Sequence, residues 1–342
     1  MKTEIIKEDM DKIADYAASL ICQEELVAIP TETVYGLGGN GLSDIACKKI
    51  FKAKNRPSDN PLILHISSME EINRLVRDVD NKVLKAVKNY WPGPLTVIFK
   101  KSDIIPNTVT AGGDTVAIRM PKKEITRQII KKAQVPIAAP SANLSGRPSP
   151  TTAKDVYEDM EGKIPLIVDG GKSNVGIEST VLDCTCDPYL ILRPGFYSKE
   201  DLELHFGRVE YDRSILKEGE IPKSPGQKYK HYAPKGRMEL ILGNNDKVRE
   251  YFTKRGRQLS EFKTALITFD DNEDLKGDFY RFYSLGDRSN LLEMASKIFR
   301  ILRQCDDDGL DYILCEGVEE KNLGIGIMNR LKKSSAGNMI FL

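Results

Sequence analysis

The sequence predicts a mixed α/β domain followed by a smaller, Rossmann-like α/β domain. Two observations predict this layout. From the N-terminus to about Arg208, apolar runs of strand length alternate with segments whose apolar residues recur at helical spacing. The pattern then lapses, and strand–helix alternation resumes from about Gly236. The expected division is residues 1–208, a linker at 209–235 and a C-terminal domain at 236–342, and a chain of 342 residues is long enough to bury two cores.

Ile13, Ala14, Ala17, Leu20 and Ile21 give Asp11 to Glu24 a helical stripe, and Leu26 to Pro30 follows as a strand. Ser43 is a natural N-cap for a helix running to about Lys54, and Leu62 to Ile66 reads as a strand. Glu70 to Tyr90 is expected to be helical, then Leu95 to Lys100 and Thr115 to Met120 extended, Ile125 to Ala133 helical and Val135 to Ala139 extended. Strands at Pro165 to Asp169, Ser179 to Cys184 and Tyr189 to Arg193 complete the first domain. In the second, Met238 to Leu242, Ala265 to Phe269 and Tyr312 to Cys315 read as strands. Asp246 to Arg255, Leu291 to Gln304 and Leu323 to Lys332 read as its helices.

Composition excludes several classes. Lys plus Arg (51) nearly cancels Asp plus Glu (50), so no global attraction to nucleic acid or membrane is encoded and any basic site must be local. Met1 to Met10 lacks a hydrophobic signal core and no apolar run reaches membrane-spanning length, so a cytoplasmic protein with no membrane partner is expected. Of the six cysteines only Cys184 and Cys186 are close, at a spacing foreign to zinc knuckles; on one strand they would share a face as small hydrophobes. His65, His205 and His231 are far apart in sequence, so no metal site is expected.

Two nucleotide signatures are declined. Gly36-Leu37-Gly38-Gly39-Asn40-Gly41 matches a dinucleotide fingerprint formally, but Thr31 to Tyr35 separates it from the strand end, and a glycine-rich turn is expected instead. Gly171-Lys172-Ser173 resembles the end of a P-loop, yet the first required Gly position holds Leu166. The second domain has no glycine fingerprint after its first strand, so no cofactor is expected there.

Other stretches carry more chemistry. Pro140 to Pro150 packs Ser141, Asn143, Ser145, Gly146, Arg147 and Ser149 into one loop, a composition suited to an anionic, hydrogen-bonding ligand and equally to a surface turn. Between Ile45 and Ser58 lie Lys48, Lys49, Lys52, Lys54 and Arg56 with no acid among them. Arg56 stands where the helix should break, and a cation there is free to meet a phosphate. In the linker, Lys228-Tyr229-Lys230-His231-Tyr232 interleaves rings and cations, which fits a lid over a ligand as well as a tether packed on a neighbour.

In order, Pro30-Thr31-Glu32-Thr33-Val34-Tyr35-Gly36-Leu37, Lys54-Asn55-Arg56-Pro57, Asn60-Pro61-Leu62 with His65, and Trp91-Pro92-Gly93-Pro94-Leu95-Thr96 are followed by Ala117-Ile118-Arg119-Met120-Pro121. Ala139-Pro140-Ser141-Ala142-Asn143, Ser145-Gly146, Ser179-Thr180-Val181 and Leu192-Arg193-Pro194-Gly195 complete the series, with Ser224 to Pro234 and the tail at Gly326, Asn329 and Arg330 behind it. This series resembles the YrdC-like family in its two-domain, threonylcarbamoyl-AMP synthase form. The resemblance implies a twisted mixed sheet with helices and a concave basic site. It implies a nucleotidyltransferase that makes threonylcarbamoyl-AMP and pyrophosphate from L-threonine, bicarbonate or CO2, and ATP, for a separate transferase that modifies tRNA to threonylcarbamoyladenosine. It implies threonine binding by Thr33, His65, Arg119, the backbone at Ala139 and Ser179. ATP binding falls to Arg56, Asn60, Thr115, Ser141, Ser149, Arg193 and, from the linker, Tyr229, with Lys54, Arg56, Ser141 and Asn143 as the catalytic set. Mg2+ is expected to arrive with ATP, without a dedicated protein site, and tRNA is not expected to bind directly. The competing expectation is a double-stranded-RNA-binding module using Lys48 to Arg56, against which stand the balanced charge and the scarcity of clustered aromatics.

Overall fold

A computed structural model describes residues 1–7, 10–216 and 232–342. Within them the chain divides into two compact units. The first comprises Met1–Ser145 and the described chain from Ser149 to Leu216, the second Gly146–Pro148 and Tyr232–Leu342.

The first unit contains β1 (Glu4–Ile6), β2 (Val27–Ile29), β3 (Gly36–Asn40), β4 (Ile63–His65), β5 (Leu95–Lys100) and β6 (Thr115–Arg119). It continues with β7 (Ile137–Ala138), β8 (Leu166–Val168), β9 (Thr180–Asp183), β10 (Tyr189–Arg193) and β11 (Val209–Tyr211). Among the described residues these form one mixed sheet of eleven strands in the order β1-β8-β2-β3-β7-β4-β6-β5-β9-β10-β11. Helix Met10–Cys22 sets Ile13, Ala14, Ala17 and Ile21 against Val27, Ile29, Ile137 and Val168, and packs beside helix Glu124–Ala133. A separate, larger core gathers Ile50 and Phe51 of helix Asp44–Lys54 with Tyr35, Leu64, Trp91, Val97 and Ile118. β11 pairs with β10, so the first sheet runs on past residue 208.

Three expectations are corrected. Gly36 to Asn40 is a strand rather than a turn, antiparallel to β2 and to β7. A Cβ on Gly38 would lie 2.9 Å from Ile137 Cγ2 and 3.1 Å from Val27 O, so the glycines admit neighbouring chains to the middle of the sheet. Glu70 to Tyr90 is not one helix but a 3-10 turn, Ile72–Leu75, and a separate helix Asn81–Val87. Val76 leaves to bridge Lys101, Asp78 takes φ 54°, and the Asp80 carboxylate caps the new helix at Lys82 N. Cys184 and Cys186 lie past the end of β9 in the turn toward β10, where Cys186 Sγ contacts the carbonyl of Pro188, so they do not share a strand face. Helices Ala153–Met160 and Lys199–Phe206 add to the elements read from sequence; each opens on a capping box, at Thr152 and Ser198.

The second unit holds β12 (Arg237–Leu242), β13 (Thr264–Thr268), β14 (Arg281–Ser284), β15 (Tyr312–Glu316) and β16 (Met339–Phe341). All five are parallel, in the order β14-β13-β15-β12-β16. Helices Asn245–Gln258, Leu291–Asp307 and Leu323–Ser334 lie where helical periodicity places them, and Tyr232 stacks on Phe299 with ring centroids 4.9 Å apart. No helix among the described residues is long and apolar enough to cross a membrane.

Candidate active site

The site is built from the ends of adjacent strands in the first unit. β4 and β6 run parallel with His65 in register with Arg119, so imidazole and guanidinium finish neighbouring strands. The amide of Ala139, just past β7, donates to Ile63 O at 3.0 Å, which brings a third strand end to the same place. Burial, and then the positive charge of Arg119, pushes the His65 imidazole down to about 3, so it is neutral at physiological pH. His65 Nδ1 is buried and has no hydrogen-bond partner among the described residues.

Arg119 is held at all three guanidinium nitrogens. Nε donates to Gly93 O (3.2 Å), Nη1 to Thr33 Oγ1 (2.8 Å) and Nη2 to Glu32 Oε1 (2.7 Å). Glu32 Oε2 accepts from the Lys122 amide at 2.9 Å. The segment after Trp91 carries the frame sideways: Gly93 takes Arg119, the Pro94 carbonyl takes Thr180 N, and Thr96 Oγ1 lies 2.7 Å from Ser179 Oγ. Arg193 then reaches back across the sheet end, donating from Nε to Ser179 O and from Nη2 to Ser179 Oγ, both at 3.0 Å. Thr33, His65, Arg119, Ala139, Ser179 and Arg193 are thus tied into one buried network.

The Lys54 and Ser141 elements meet as well. Helix Asp44–Lys54 starts on the Ser43 hydroxyl and ends at Asn55 in the left-handed conformation, which turns Arg56 out of the helix. Lys54 is 1% exposed; its ammonium donates to the Ser141 carbonyl and, at 2.5 Å, to the Asn143 carbonyl. The charge therefore first serves to shape the loop. Ser141 Oγ donates to Asn143 Oδ1 at 2.6 Å, and Leu37 N and Ala142 N bond across to Pro140 O and Tyr35 O, fastening this loop to β3. Arg56 is half-buried, with Nη2 on the carbonyls of Asn60 and Pro61, and Asn60 is buried. Ser149 is buried and donates to Glu178 Oε1 at 2.5 Å.

Thr115 stands apart from the threonine set, at the other end of β6, four residues and so about 13 Å from Arg119. Tyr229 lies outside the described residues. Glu32, Thr96 and Glu178 were not among the residues singled out from sequence. Glu32 and Thr96 stand inside runs that the sequence marked, and a lone acid beside Thr33 was the available signal.

Neither the Ser141 nor the Ser179 hydroxyl has a general base as partner among the described residues: Ser141 bonds an amide oxygen, and Ser179 lies between Thr96 and Arg193. No group of three or more His, Cys, Asp or Glu side chains converges among the described residues. The described residues supply an array of cations, hydroxyls and backbone groups of the kind that binds anionic ligands. Fold and site together define an α/β protein whose buried cations, hydroxyls and backbone groups are gathered at one end of its sheet, a set suited to anionic, hydrogen-bonding ligands.

Comparison with known proteins agrees. Residues 19–195 match the Sua5/YciO/YrdC family, described as telomere recombination, and residues 197–336 match the C-terminal domain of threonylcarbamoyl-AMP synthase. The chain is 44% identical over 326 residues to threonylcarbamoyl-AMP synthase of Pyrococcus abyssi, covering 95% of this chain and 94% of that one. Against the enzyme of that name from Bacillus subtilis it is 41% identical over 328 residues, covering 95% and 93%. The solved structure of P. abyssi Sua5 complexed with L-threonine superposes with a TM-score of 0.93 at 42% identity, covering both chains in full. The chain belongs to the two-domain form of the YrdC-like family, the threonylcarbamoyl-AMP synthases, and is thereby an enzyme of the nucleotidyl-transfer type.

Proposed function

We propose that this enzyme condenses L-threonine, CO2 or bicarbonate, and ATP into threonylcarbamoyl-AMP and pyrophosphate, for a separate transferase that modifies tRNA in the cytoplasm. The observation that supports it best is the buried frame of Arg119, Thr33, His65, Ser179 and Arg193, next to a loop shaped by Lys54. The P. abyssi relative was solved with L-threonine, and among the described residues Arg119 keeps two N–H bonds uncommitted, the number a carboxylate accepts in a bidentate pair.

In this reading the threonine amine attacks CO2; an N–C bond forms, the nitrogen releases a proton, and a carbamate results. A carbamate oxygen then attacks the α-phosphorus of ATP in line, the bond to the bridging oxygen breaks, and pyrophosphate leaves. Arg119 takes the amino-acid carboxylate. Neutral His65, Ala139 and Ser179 line the same end, with His65 the side chain nearest the substrate hydroxyl. Arg56, Asn60, Ser141, Ser149 and Arg193 hold the nucleotide, Thr115 reaches its far end, and Tyr229 adds a contact from the linker. Lys54, with Asn143, keeps the Ser141 loop in the shape that receives phosphate. Mg2+ enters on the triphosphate, and tRNA is not bound directly.

Mass spectrometry of a mixture of enzyme, ATP, L-threonine and bicarbonate tests the reading. Threonylcarbamoyl-AMP should appear, and pyrophosphate release should require both threonine and bicarbonate. Pyrophosphate without threonine, or duplex-RNA binding with a steep salt dependence and no adenylate, would overturn it.

A further inference from the structure

We infer that Glu32 is a positioning residue for the substrate carboxylate, holding Arg119 so that two guanidinium N–H bonds are left for the ligand. The inference rests on the synthase reading above. Glu32 is 5% exposed and Arg119 4%, so both charges have left water and neither can persist without the other. The carboxylate is pinned on both oxygens, by Arg119 Nη2 at 2.7 Å and by the Lys122 amide at 2.9 Å. Lys122 lies three residues beyond Arg119, so Glu32 grips the strand end that carries the arginine as well as the arginine itself.

The other restraints have a fixed sense. The Thr31 hydroxyl gives its one proton to Val34 O at 2.6 Å. The 2.8 Å contact between Thr31 Oγ1 and Thr33 Oγ1 must then carry the Thr33 proton, which leaves Thr33 oxygen to accept from Arg119 Nη1. Nε is held by Gly93 O, and the Gly93 amide in turn donates to Met120 O, the residue after Arg119. One N–H on each nitrogen is therefore committed, two to the adjacent residues Glu32 and Thr33 and one to Gly93 on a second segment, and among the described residues each Nη keeps one more. A guanidinium locked in this way loses little freedom on meeting a carboxylate, and that pre-organisation favours a ligand bearing one.

Gln at position 32 cannot replace this hold. Its single carbonyl satisfies either Arg119 or the Lys122 amide, and its NH2 then faces the other donor. The test compares L-threonine with L-threoninamide, which keeps the amine and hydroxyl and lacks the carboxylate. Their dissociation constants by calorimetry are measured for wild type, Glu32→Gln and Glu32→Asp, together with KM for threonine and for ATP in pyrophosphate release. Wild type should prefer threonine. Glu32→Gln should shrink that preference at least tenfold and raise KM for threonine with KM for ATP unchanged, and Glu32→Asp should recover part of the preference. An unchanged ratio in Glu32→Gln, with both ligands weakened alike, makes Glu32 a structural residue only and overturns the inference. Should Glu32→Gln fail to fold, Glu32→Asp carries the same comparison, and a wild-type ratio in it overturns the inference equally. A wild-type enzyme with no threonine-dependent pyrophosphate release is a different failure: it removes the synthase reading, and the inference falls with it.

Discussion

Replacing Lys54 with methionine separates two uses of a buried cation. Methionine keeps most of the unbranched stem and removes the ammonium, which bonds the carbonyls of Ser141 and Asn143 at a side chain only 1% exposed. Both carbonyls belong to a loop otherwise fastened through Pro140 O and Ala142 N, so they have little room to turn toward water. A buried acceptor that loses its partner costs about 1–3 kcal/mol, so two give about 2–6 kcal/mol, a large share of the roughly 5–15 kcal/mol that holds a domain folded. For a unit of this size the low end lowers the melting temperature by about 4 °C or more. Urea titration and calorimetry of Lys54→Met read the loss, and adenylate formation with varied ATP reads its consequence, a KM for ATP raised at least tenfold as the Ser141 loop loosens. A variant as stable as wild type that has lost activity would refute the reasoning, because the ammonium would then serve phosphate directly and the carbonyls would not depend on it.

Three more outcomes are expected. The folded-state value of His65, lowered to about 3 against an unfolded value near 6.5, means that the unfolded chain binds the extra proton between these limits. Stability is therefore full above pH 6.5 and lost as pH falls toward 3, by about 2 kcal/mol at pH 5 from this residue alone; urea midpoints at pH 5 and 7.5 should show that His65→Gln loses less on acidification than wild type. Gly195→Ala should reduce kcat/KM at least tenfold, because its Cβ would lie 2.7 Å from both Glu178 O and the Ser179 carbonyl carbon and against Thr180 N, all backbone, so the Ser179 turn must move; wild-type kinetics in that variant would show that Ser179 tolerates displacement. Valine should bind at least tenfold more weakly than threonine in calorimetry, since it leaves the polar groups around His65 and Ser179 without a hydroxyl to meet, and equal affinities would remove the hydroxyl from the recognition scheme.

The elements that sequence reading placed well have locally complete signals. Helix Met10–Cys22 carries its apolar stripe in its own residues, helix Asp44–Lys54 opens on Ser43, and β10 is bounded by turn residues. The glycine run at Gly36 to Gly41 misled because glycine's local preference is for turns; only the approach of Ile137 and Leu26 explains why strand β3 lacks side chains there. The break at Val76 depends on its bridge to Lys101, a partner that no local window contains. β1, β11, β14 and β16 are three or four residues long, too short for a periodic signal, and exist because an adjacent strand offers hydrogen bonds.

By itself the sequence determined that there are two α/β units, where the strongly periodic helices such as Met10–Cys22 and Leu291–Asp307 lie, and which residues belong to the family's motifs, because periodicity and motif spacing are properties of neighbouring residues. Roles that depend on partners were decided by the tertiary structure alone. Lys54 read as one more cation near phosphate, and burial against the Ser141 loop makes it a clamp on carbonyls. Glu32 read as part of a motif, and the ion pair across the sheet end makes it the counter-charge of Arg119. The physical reason is that the worth of a charge is set by its desolvation and by the groups that face it, and 87 residues of chain separate Lys54 from the Ser141 carbonyl, as they do Glu32 from Arg119.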